Sequence, residues 1–154
     1  MLYEKADWRD MEQLIKLRMA YIEEDMGKPT PEQNKKIIQS VQKYFVKHIN
    51  KDLFIYVARE TEIVACAFLL VFEKPANLHF ITGRTGTVLN VYTKPTYRRR
   101  GLALSLMKRL LEDGRTMRLD YIELKATEDG FPLYRSLGFR EVSTTYRIMK
   151  YDFD

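Results

Sequence analysis

The segment VYTKPTYRRRGLA, residues 91–103, carries a strand-like apolar stretch through a basic turn directly into a helix. Pro95 stops the strand, and the turn then holds Arg98, Arg99, Arg100 and Gly101. A helix N-terminus presents unpaired N–H groups and a partial positive charge, and glycine lets the backbone approach a ligand closely. The segment therefore predicts a site for a bound phosphate; the alternative is that the basic helix start is only a solvated face or a capping device.

The positive charge of the chain is concentrated in this turn. Residues 1–77 hold 12 basic and 12 acidic side chains, whereas residues 78–154 hold 14 and 9, so the second half carries the whole net charge of +5. A domain that wraps nucleic acid usually spreads its Lys and Arg along a face. One tight cluster instead favours a compact anion such as a pyrophosphate.

Outward from the turn, apolar spacing and capping signals, among them a capping box of Thr30 and Gln33, predict an alternation of helices and strands. We expect helices over residues 7–24, 30–50, 102–117 and 131–137, and strands over residues 53–59, 63–72, 87–93 and 121–126, with a last strand within residues 139–152. The expected order is β, α, α, β, β, β, α, β, α, β. This order predicts a mixed α/β fold.

Length and composition set limits on the class of protein. A chain of 154 residues with 45% hydrophobic and 31% charged residues predicts one folded domain over residues 1–154. The longest apolar run, residues 63–72, is too short for a bilayer span, so we expect a cytoplasmic protein with no membrane contact. The single cysteine, Cys66, lies inside that run and is expected to be buried. His48 and His79 lack metal-ligand spacing, so no metal site is predicted.

Two motifs at a defined separation resemble those of a known family. Arg98-x-x-Gly101-x-Ala103 after a strand resembles the acyl-CoA signature of GNAT-type N-acetyltransferases, and the run LYRSLGF at residues 133–139 resembles the second landmark of that family. The resemblance covers nearly the whole chain. It implies a mostly antiparallel, twisted sheet of about six or seven strands, flanked by about four helices, with one splayed parallel pair.

The resemblance also implies which residues bind acetyl-CoA, the expected co-substrate. The backbone that would hold the pyrophosphate is that of Arg99, Arg100, Gly101, Leu102, Ala103 and Leu104, with the side chains of Arg98 and its neighbours adding charge. The strand end at Val91, Tyr92 and Thr93 would pair with the pantetheine amides. Thr127 stands where many relatives have asparagine, and its hydroxyl has less reach toward the cofactor.

Attack of an amine on a thioester needs a base, an N–H donor for the oxyanion and an acid for the leaving thiolate. Tyr134 is the candidate general acid, since tyrosine, with a pKa near 10, stays protonated at neutral pH. The alternative is that Tyr134 only packs beneath the last strand. By resemblance, the backbone N–H of Val91 is the expected oxyanion donor.

The general base and the acceptor are not fixed by the sequence. Some relatives have a glutamate on the strand at residues 87–93, where this chain has none, and Asn90 cannot accept a proton. The open candidates for the base are Glu24, Asp25, Glu73, Glu128 and Asp129, or a water relay. The acidic run that contains Glu24 and Asp25 could also attract a cationic amine, and Asn90 is a further candidate contact for the acceptor.

The expected function is transfer of an acetyl group from acetyl-CoA to a primary amine of a small molecule or peptide. Two alternatives stay open: a non-catalytic acyl-CoA sensor of the same fold, favoured by the missing strand carboxylate, and a nucleic-acid-binding domain that uses the arginine cluster. The concentration of positive charge in one turn counts against a nucleic-acid-binding domain, so no nucleic acid is expected as a partner. Many relatives form homodimers, and a homodimer is possible here.

Overall fold

The computed structural model describes all residues 1–154 and begins with a short strand and two helices. Strand β1 (Leu2–Lys5) leads to a 3-10 turn (Trp8–Asp10) that runs into helix α1 (Met11–Met26). The predicted capping box of Thr30 and Gln33 begins helix α2 (Pro31–His48): each side chain accepts a hydrogen bond from the other residue's backbone N–H. Local capping therefore sets where these helices begin.

The sheet has five strands in the order β1-β2-β3-β4-β5. Strands β2 (Leu53–Arg59), β3 (Ile63–Glu73) and β4 (Arg84–Thr93) join β1 in an antiparallel array, and β5 (Ile122–Glu123) runs parallel to β4. The central strand β3 is buried on both faces over most of its length, which matches its continuous apolar sequence.

Two apolar clusters lie on opposite faces of the sheet. Helices α1 and α2 cover one face, where Leu14 and Phe45 pack on β2 and β3. Helix α3 (Leu102–Thr116) covers the other, with Leu106 and Leu110 fully buried against the sheet. A short helix α4 (Phe131–Ser136) follows β5. The mixed α/β fold with a parallel strand pair is thus confirmed.

The prediction of a last strand within residues 139–152 is wrong, and the sheet has five strands where about six or seven were expected. Residues 140–154 are all exposed and contain no regular secondary structure. A strand forms only where a neighbour accepts and donates its ladder hydrogen bonds. The segment has strand-like sequence but no neighbouring strand within this chain. For the same reason β5, predicted over residues 121–126, spans two residues only.

Candidate functional site

Strands β4 and β5 pair briefly and then separate, which opens a groove in the sheet. Gly86 pairs with Ile122 and Thr87 with Glu123, after which β4 continues to Thr93 with no strand beside it. A β-bulge at Leu89 interrupts the pairing with β3 at the point of separation. The resulting groove has a volume of about 620 Å³, within the range of small-molecule sites.

The end of β4 offers free backbone groups to this groove. The Lys94 N–H donates to the Val64 carbonyl of β3 at 2.9 Å. Because successive N–H groups of a strand point to opposite sides, those of Val91 and Thr93 point away from β3, toward the groove. The edge of β4 is therefore available to pair with an extended ligand that carries amides.

The start of α3 forms a cradle of unpaired N–H groups at one end of the groove. None of the six backbone N–H groups from Arg99 to Leu104 donates to a protein acceptor; the first helical bond is that of Ser105 N–H to the Gly101 carbonyl, at 3.0 Å. Arg99 and Gly101 have positive φ angles of 60° and 76°. Such left-handed residues at a turn gather successive N–H groups into an anion-binding concavity, and the dipole of α3 adds to it.

The three arginines of the turn have different surroundings. Arg99 lines the groove, whereas the guanidinium of Arg100 lies 5.2 Å from the centre of the Tyr97 ring, outside the groove lining. Arg98 lines the groove but is occupied structurally: its Nε donates to the Thr93 carbonyl at 2.9 Å, and its Nη2 donates to Glu24 at 2.6 Å. Arg98 thus fixes the turn to both β4 and α1.

Two tyrosines face the groove from different helices. Tyr134 on α4 packs edge-on against Phe139, with ring centres 6.0 Å apart, and Tyr21 on α1 lines the same groove. Burial, together with the nearby Tyr21 phenol, raises the pKa of Tyr134 above its ordinary value. Tyr134 is therefore protonated throughout the physiological pH range.

Contacts at the start of helix α4 set the position of Tyr134. The Thr127 hydroxyl accepts a hydrogen bond from the Gly130 N–H at 3.1 Å, which leaves the hydroxyl proton free to donate. A Cβ on Gly130 would lie 2.9 Å from the Tyr134 ring. Because Gly130 has no side chain, the Tyr134 ring can occupy this position without a steric clash.

Carboxylates lie on the α1 side and beside α4. Of the five acids considered as bases, Glu24, Asp25 and Asp129 line the groove, and Glu73 and Glu128 do not. Glu24 is already paired with Arg98. Asp25 follows Tyr21 by one helical turn, and its charge contributes, after burial, to a raised pKa of the Tyr21 phenol.

Asn90 lies at the groove wall, but its side chain is turned inward. It is 1% exposed, its oxygen accepts a hydrogen bond from Arg18 at 3.0 Å, and its amide nitrogen lies 3.5 Å from the Cys66 sulfur. Cys66 is buried, as predicted, and burial raises the pKa of its thiol to about 12. Neither group is positioned as a nucleophile or base toward the groove.

The structure brings together almost all the residues singled out from the sequence. Every one except Arg100 among the predicted cofactor, acid and acceptor residues lines the groove. Tyr21 of α1 also lines the groove and was not singled out from the sequence; its spacing of four residues from Asp25 could have revealed it. The groove lining also includes residues that had no assigned role: Val88, Leu89, Tyr97, Leu124, Lys125, Gly130 and Leu133.

A mixed sheet with a splayed parallel pair and an N–H cradle at the helix after β4 is the arrangement that the resemblance to acetyltransferases implied. Residues 11–139 match the family model described as Acetyltransferase (GNAT) family. The chain therefore belongs to the GNAT acetyltransferase family.

Solved structures agree with this assignment. A predicted acetyltransferase with acetyl-CoA from Clostridium acetobutylicum is 26% identical, with a TM-score of 0.80 over 96% of this chain and 95% of that chain. A GCN5-related N-acetyltransferase from Ralstonia eutropha is 22% identical, with a TM-score of 0.81 over 96% and 97%. An aminoglycoside 6'-N-acetyltransferase from Acinetobacter haemolyticus is 17% identical, with a TM-score of 0.70 over 99% and 100%. No curated protein sequence matches the chain.

Two further properties of the structure concern membranes and metals. None of the helices combines the length and apolar character needed to cross a bilayer. No three His, Cys, Asp or Glu side chains come together in a way that could hold a metal ion.

Proposed function

We propose that this protein is an N-acetyltransferase that moves an acetyl group from acetyl-CoA to a primary amine of a small molecule or peptide. The observation that carries the proposal is the run of six unpaired N–H groups from Arg99 to Leu104, next to the open edge of β4. Unpaired donors of this kind suit a pyrophosphate, and an open strand edge suits the amides of a pantetheine arm. The two features adjoin in one groove of about 620 Å³.

The residues divide by the part of acetyl-CoA that each would bind. The cradle N–H groups and the Arg99 side chain would bind the pyrophosphate. The backbone of Val91 and Thr93 would pair with the pantetheine, and the free proton of the Thr127 hydroxyl is a further donor toward it. Arg98 would act as a positioning residue, because its donors already bind Thr93 and Glu24.

Bound acetyl-CoA supplies an activated acetyl group, and two groups of this chain suit the chemistry around it. The Val91 N–H points into the groove and would stabilise negative charge that develops on the carbonyl oxygen. Tyr134 has a raised pKa and would donate its proton to the departing thiolate sulfur.

The acceptor would approach from the α1 side. Asp25 and Asp129 line the groove and appear in no ion pair, whereas Glu24 is neutralised by Arg98. Free carboxylates attract a protonated amine and would help it lose a proton before attack, directly or through water. This arrangement favours cationic acceptors.

The test is a continuous assay of free thiol with acetyl-CoA and a panel of primary amines that includes polyamines, amino sugars and short peptides. The proposal predicts thiol release that depends on both the enzyme and one class of amine, with an acetylated amine of matching amount by mass spectrometry. Tight acetyl-CoA binding without thiol release across the panel would instead identify an acyl-CoA sensor. Salt-dependent binding of an oligonucleotide without acetyl-CoA binding would identify a nucleic-acid-binding domain.

A further inference from the structure

Arg18 on α1 carries a positive charge that no acid of this chain neutralises. The residue is half-buried; its Nη1 donates to the Asn90 side-chain oxygen at 3.0 Å, and its guanidinium forms no ion pair. The other two arginines of residues 1–77, Arg9 and Arg59, are both paired with carboxylates. A charge taken partly out of water is costly without a counter-charge, so an unpaired guanidinium in this position is unusual.

The unused donors of Arg18 can be reached by a ligand. A guanidinium has five N–H groups, and Asn90 accepts from one of them. Across the whole chain, the Nε of Arg84 is the single buried side-chain nitrogen or oxygen without a hydrogen-bond partner. The unpaired nitrogens of Arg18 are therefore in contact with solvent, although the residue is half-buried. They are available to an incoming anion.

Arg18 lies next to the groove, on the side of α1. Its partner Asn90 belongs to the groove wall on β4, and the guanidinium carbon lies 5.5 Å from the centre of the Tyr21 ring, which also lines the groove. Asn90 directly precedes Val91, the proposed oxyanion donor. An anion bound at Arg18 would therefore lie close to the place where the acceptor amine reacts.

The same face of α1 also carries an acid without an ion pair. Arg18, Tyr21 and Asp25 follow one another at spacings of three and four residues, which places them on one side of the helix. Two helical turns separate Arg18 from Asp25, about 10 Å along the axis. Asp25 suits an amine and Arg18 suits a carboxylate, so one small molecule with both groups can contact both residues.

The other cations at the groove are less suited to this task. Arg98 is paired with Glu24, and Arg99 belongs to the N–H cradle. Lys125 lines the groove without an ion pair, but it is exposed, and water screens a charge in such a position. Arg18 is half-buried and held by Asn90, so it gives the stronger discrimination between a charged and a neutral group.

We propose that Arg18 binds an anionic group of the acceptor, and that the acceptor is an amine which also carries a carboxylate, as amino acids do. This inference rests on the proposed function and narrows its class of acceptor. The carboxylate supplies the counter-charge that the chain lacks, and the guanidinium fork matches its two oxygens. Asn90 is a positioning residue here, because its hydrogen bond orients the guanidinium.

The experiment compares acceptors that differ only in the carboxylate. Glycine, alanine, phenylalanine, β-alanine and 4-aminobutanoate are each assayed for thiol release beside the corresponding amide. We expect kcat/KM to be about 10-fold or more higher for the acid in the best pair, because an amide leaves the guanidinium without a counter-charge. The amine of an amino acid amide is less basic and more often neutral, so it cannot cause a preference for the acid. The pair of 2-aminoethyl phosphate and ethanolamine tests phosphate as the anion.

Arg18→Gln separates the charge from the hydrogen bond. Glutamine can still donate to Asn90 but is neutral, so the acid-to-amide ratio of kcat/KM should fall to about one. Arg18→Lys keeps the charge and should keep most of the preference. Because the ratio compares two substrates on one variant, it does not depend on the folded fraction. Lys16→Gln is the matched control: Lys16 lies on the same helix, exposed and paired with Glu12, and its loss should leave the ratio unchanged.

A binding measurement separates this inference from the proposed function. Calorimetric titration of the same pairs into the chain saturated with CoA should show the same preference for the acid, lost in Arg18→Gln. That result without any thiol release would contradict the proposed function and support the role of Arg18. Three results would overturn that role: absent or equal binding of acids and amides, a preference confined to the phosphate pair, or a preference that Lys125→Gln abolishes and Arg18→Gln does not.

Discussion

Tyr134 combines partial burial, a raised pKa and a place on the groove wall, and these three properties together suit a general acid. Replacement with phenylalanine removes only the hydroxyl and leaves the ring packing on Phe139 intact. We expect Tyr134→Phe to lower kcat by about 100-fold or more, since positioned acids contribute on that order. KM for acetyl-CoA should change little.

The control for this variant is Tyr121→Phe. Tyr121 also carries a hydrogen-bonded hydroxyl, which accepts from Lys74 at 3.2 Å, but it does not line the groove. A full kcat for Tyr134→Phe, or an equal loss for both variants, would show that the Tyr134 hydroxyl has no part in proton transfer.

The raised pKa of Tyr134 also predicts the pH dependence. The acid is active while protonated, so a pKa above the usual value near 10 keeps it active through the neutral and mildly alkaline range. We expect kcat to rise with pH as the acceptor amine loses its proton, and to show no descending limb below about pH 10. A descending limb near neutral pH would rule Tyr134 out as the acid.

Arg99 and Arg100 are adjacent in sequence but differ in surroundings, which makes them a matched pair. Arg99 lines the groove, and Arg100 lies over Tyr97. Arg99→Asn should weaken acetyl-CoA binding about 10-fold or more, because a charge-assisted bond to phosphate is lost; asparagine tolerates the positive φ. Arg100→Asn should have a much smaller effect. Calorimetric titration compares the two, and an equal loss would contradict the assignment.

At the scale of elements, α3 is tied to the sheet by one polar cluster at its C-terminal end. The buried Tyr56 of β2 donates its hydroxyl proton to Asp113 at 2.8 Å, and Lys5 of β1 forms an ion pair with the same carboxylate at 2.7 Å. Burial alone would raise the pKa of Asp113, but the bonds from Lys5 and Tyr56 outweigh it and lower that pKa. The carboxylate therefore stabilises the fold in its charged form.

Replacement of Asp113 should therefore destabilise the fold to an extent that depends on pH. Asp113→Ala should cost about 1–3 kcal/mol of unfolding free energy at pH 7, since it leaves the Tyr56 hydroxyl without a partner. Because the folded pKa is depressed, the contribution of the charge is present above the unfolded pKa of about 3.9 and is lost as pH falls through the folded value.

Urea unfolding at pH 7 and pH 3 checks this prediction, with Asp113→Asn as control. Asparagine keeps an acceptor for Tyr56 but loses the charge that Lys5 requires, so its cost should be smaller than that of alanine. A cost for Asp113→Ala that does not shrink at pH 3 would contradict the role of the charge.

Local signals predicted where several elements begin and end. The capping box of Thr30 and Gln33 and the glycine turn before α3 lie where the sequence indicated, and β2 has the predicted bounds of residues 53–59. Such signals act within a few residues, so they are readable from one sequence. The N–H cradle could be predicted for the same reason.

Features that depend on distant parts of the chain could not be predicted. Residues 139–152 have strand-like sequence but find no neighbouring strand, and the inward turn of Asn90 depends on Arg18, which lies 72 positions earlier. The Arg98–Glu24 pair likewise joins residues 74 positions apart. The Arg18–Asn90 and Arg98–Glu24 hydrogen bonds are tertiary contacts, and neither local pattern nor local spacing predicts them.

On the scale of the whole molecule, the groove between β4 and β5 is the feature that supports the proposed function. The sheet edge, the cradle at α3 and Tyr134 on α4 belong to three separate elements that converge there. Helix α1 adds Tyr21, Glu24 and Asp25 on the acceptor side. A protein with this arrangement should bind acetyl-CoA in the absence of an acceptor.

The most direct test is isothermal titration calorimetry of acetyl-CoA into the full chain without an acceptor. We expect saturable binding with one acetyl-CoA per chain. Absence of binding by acetyl-CoA at millimolar concentration would contradict the assignment of the groove and of the N–H cradle at the start of α3.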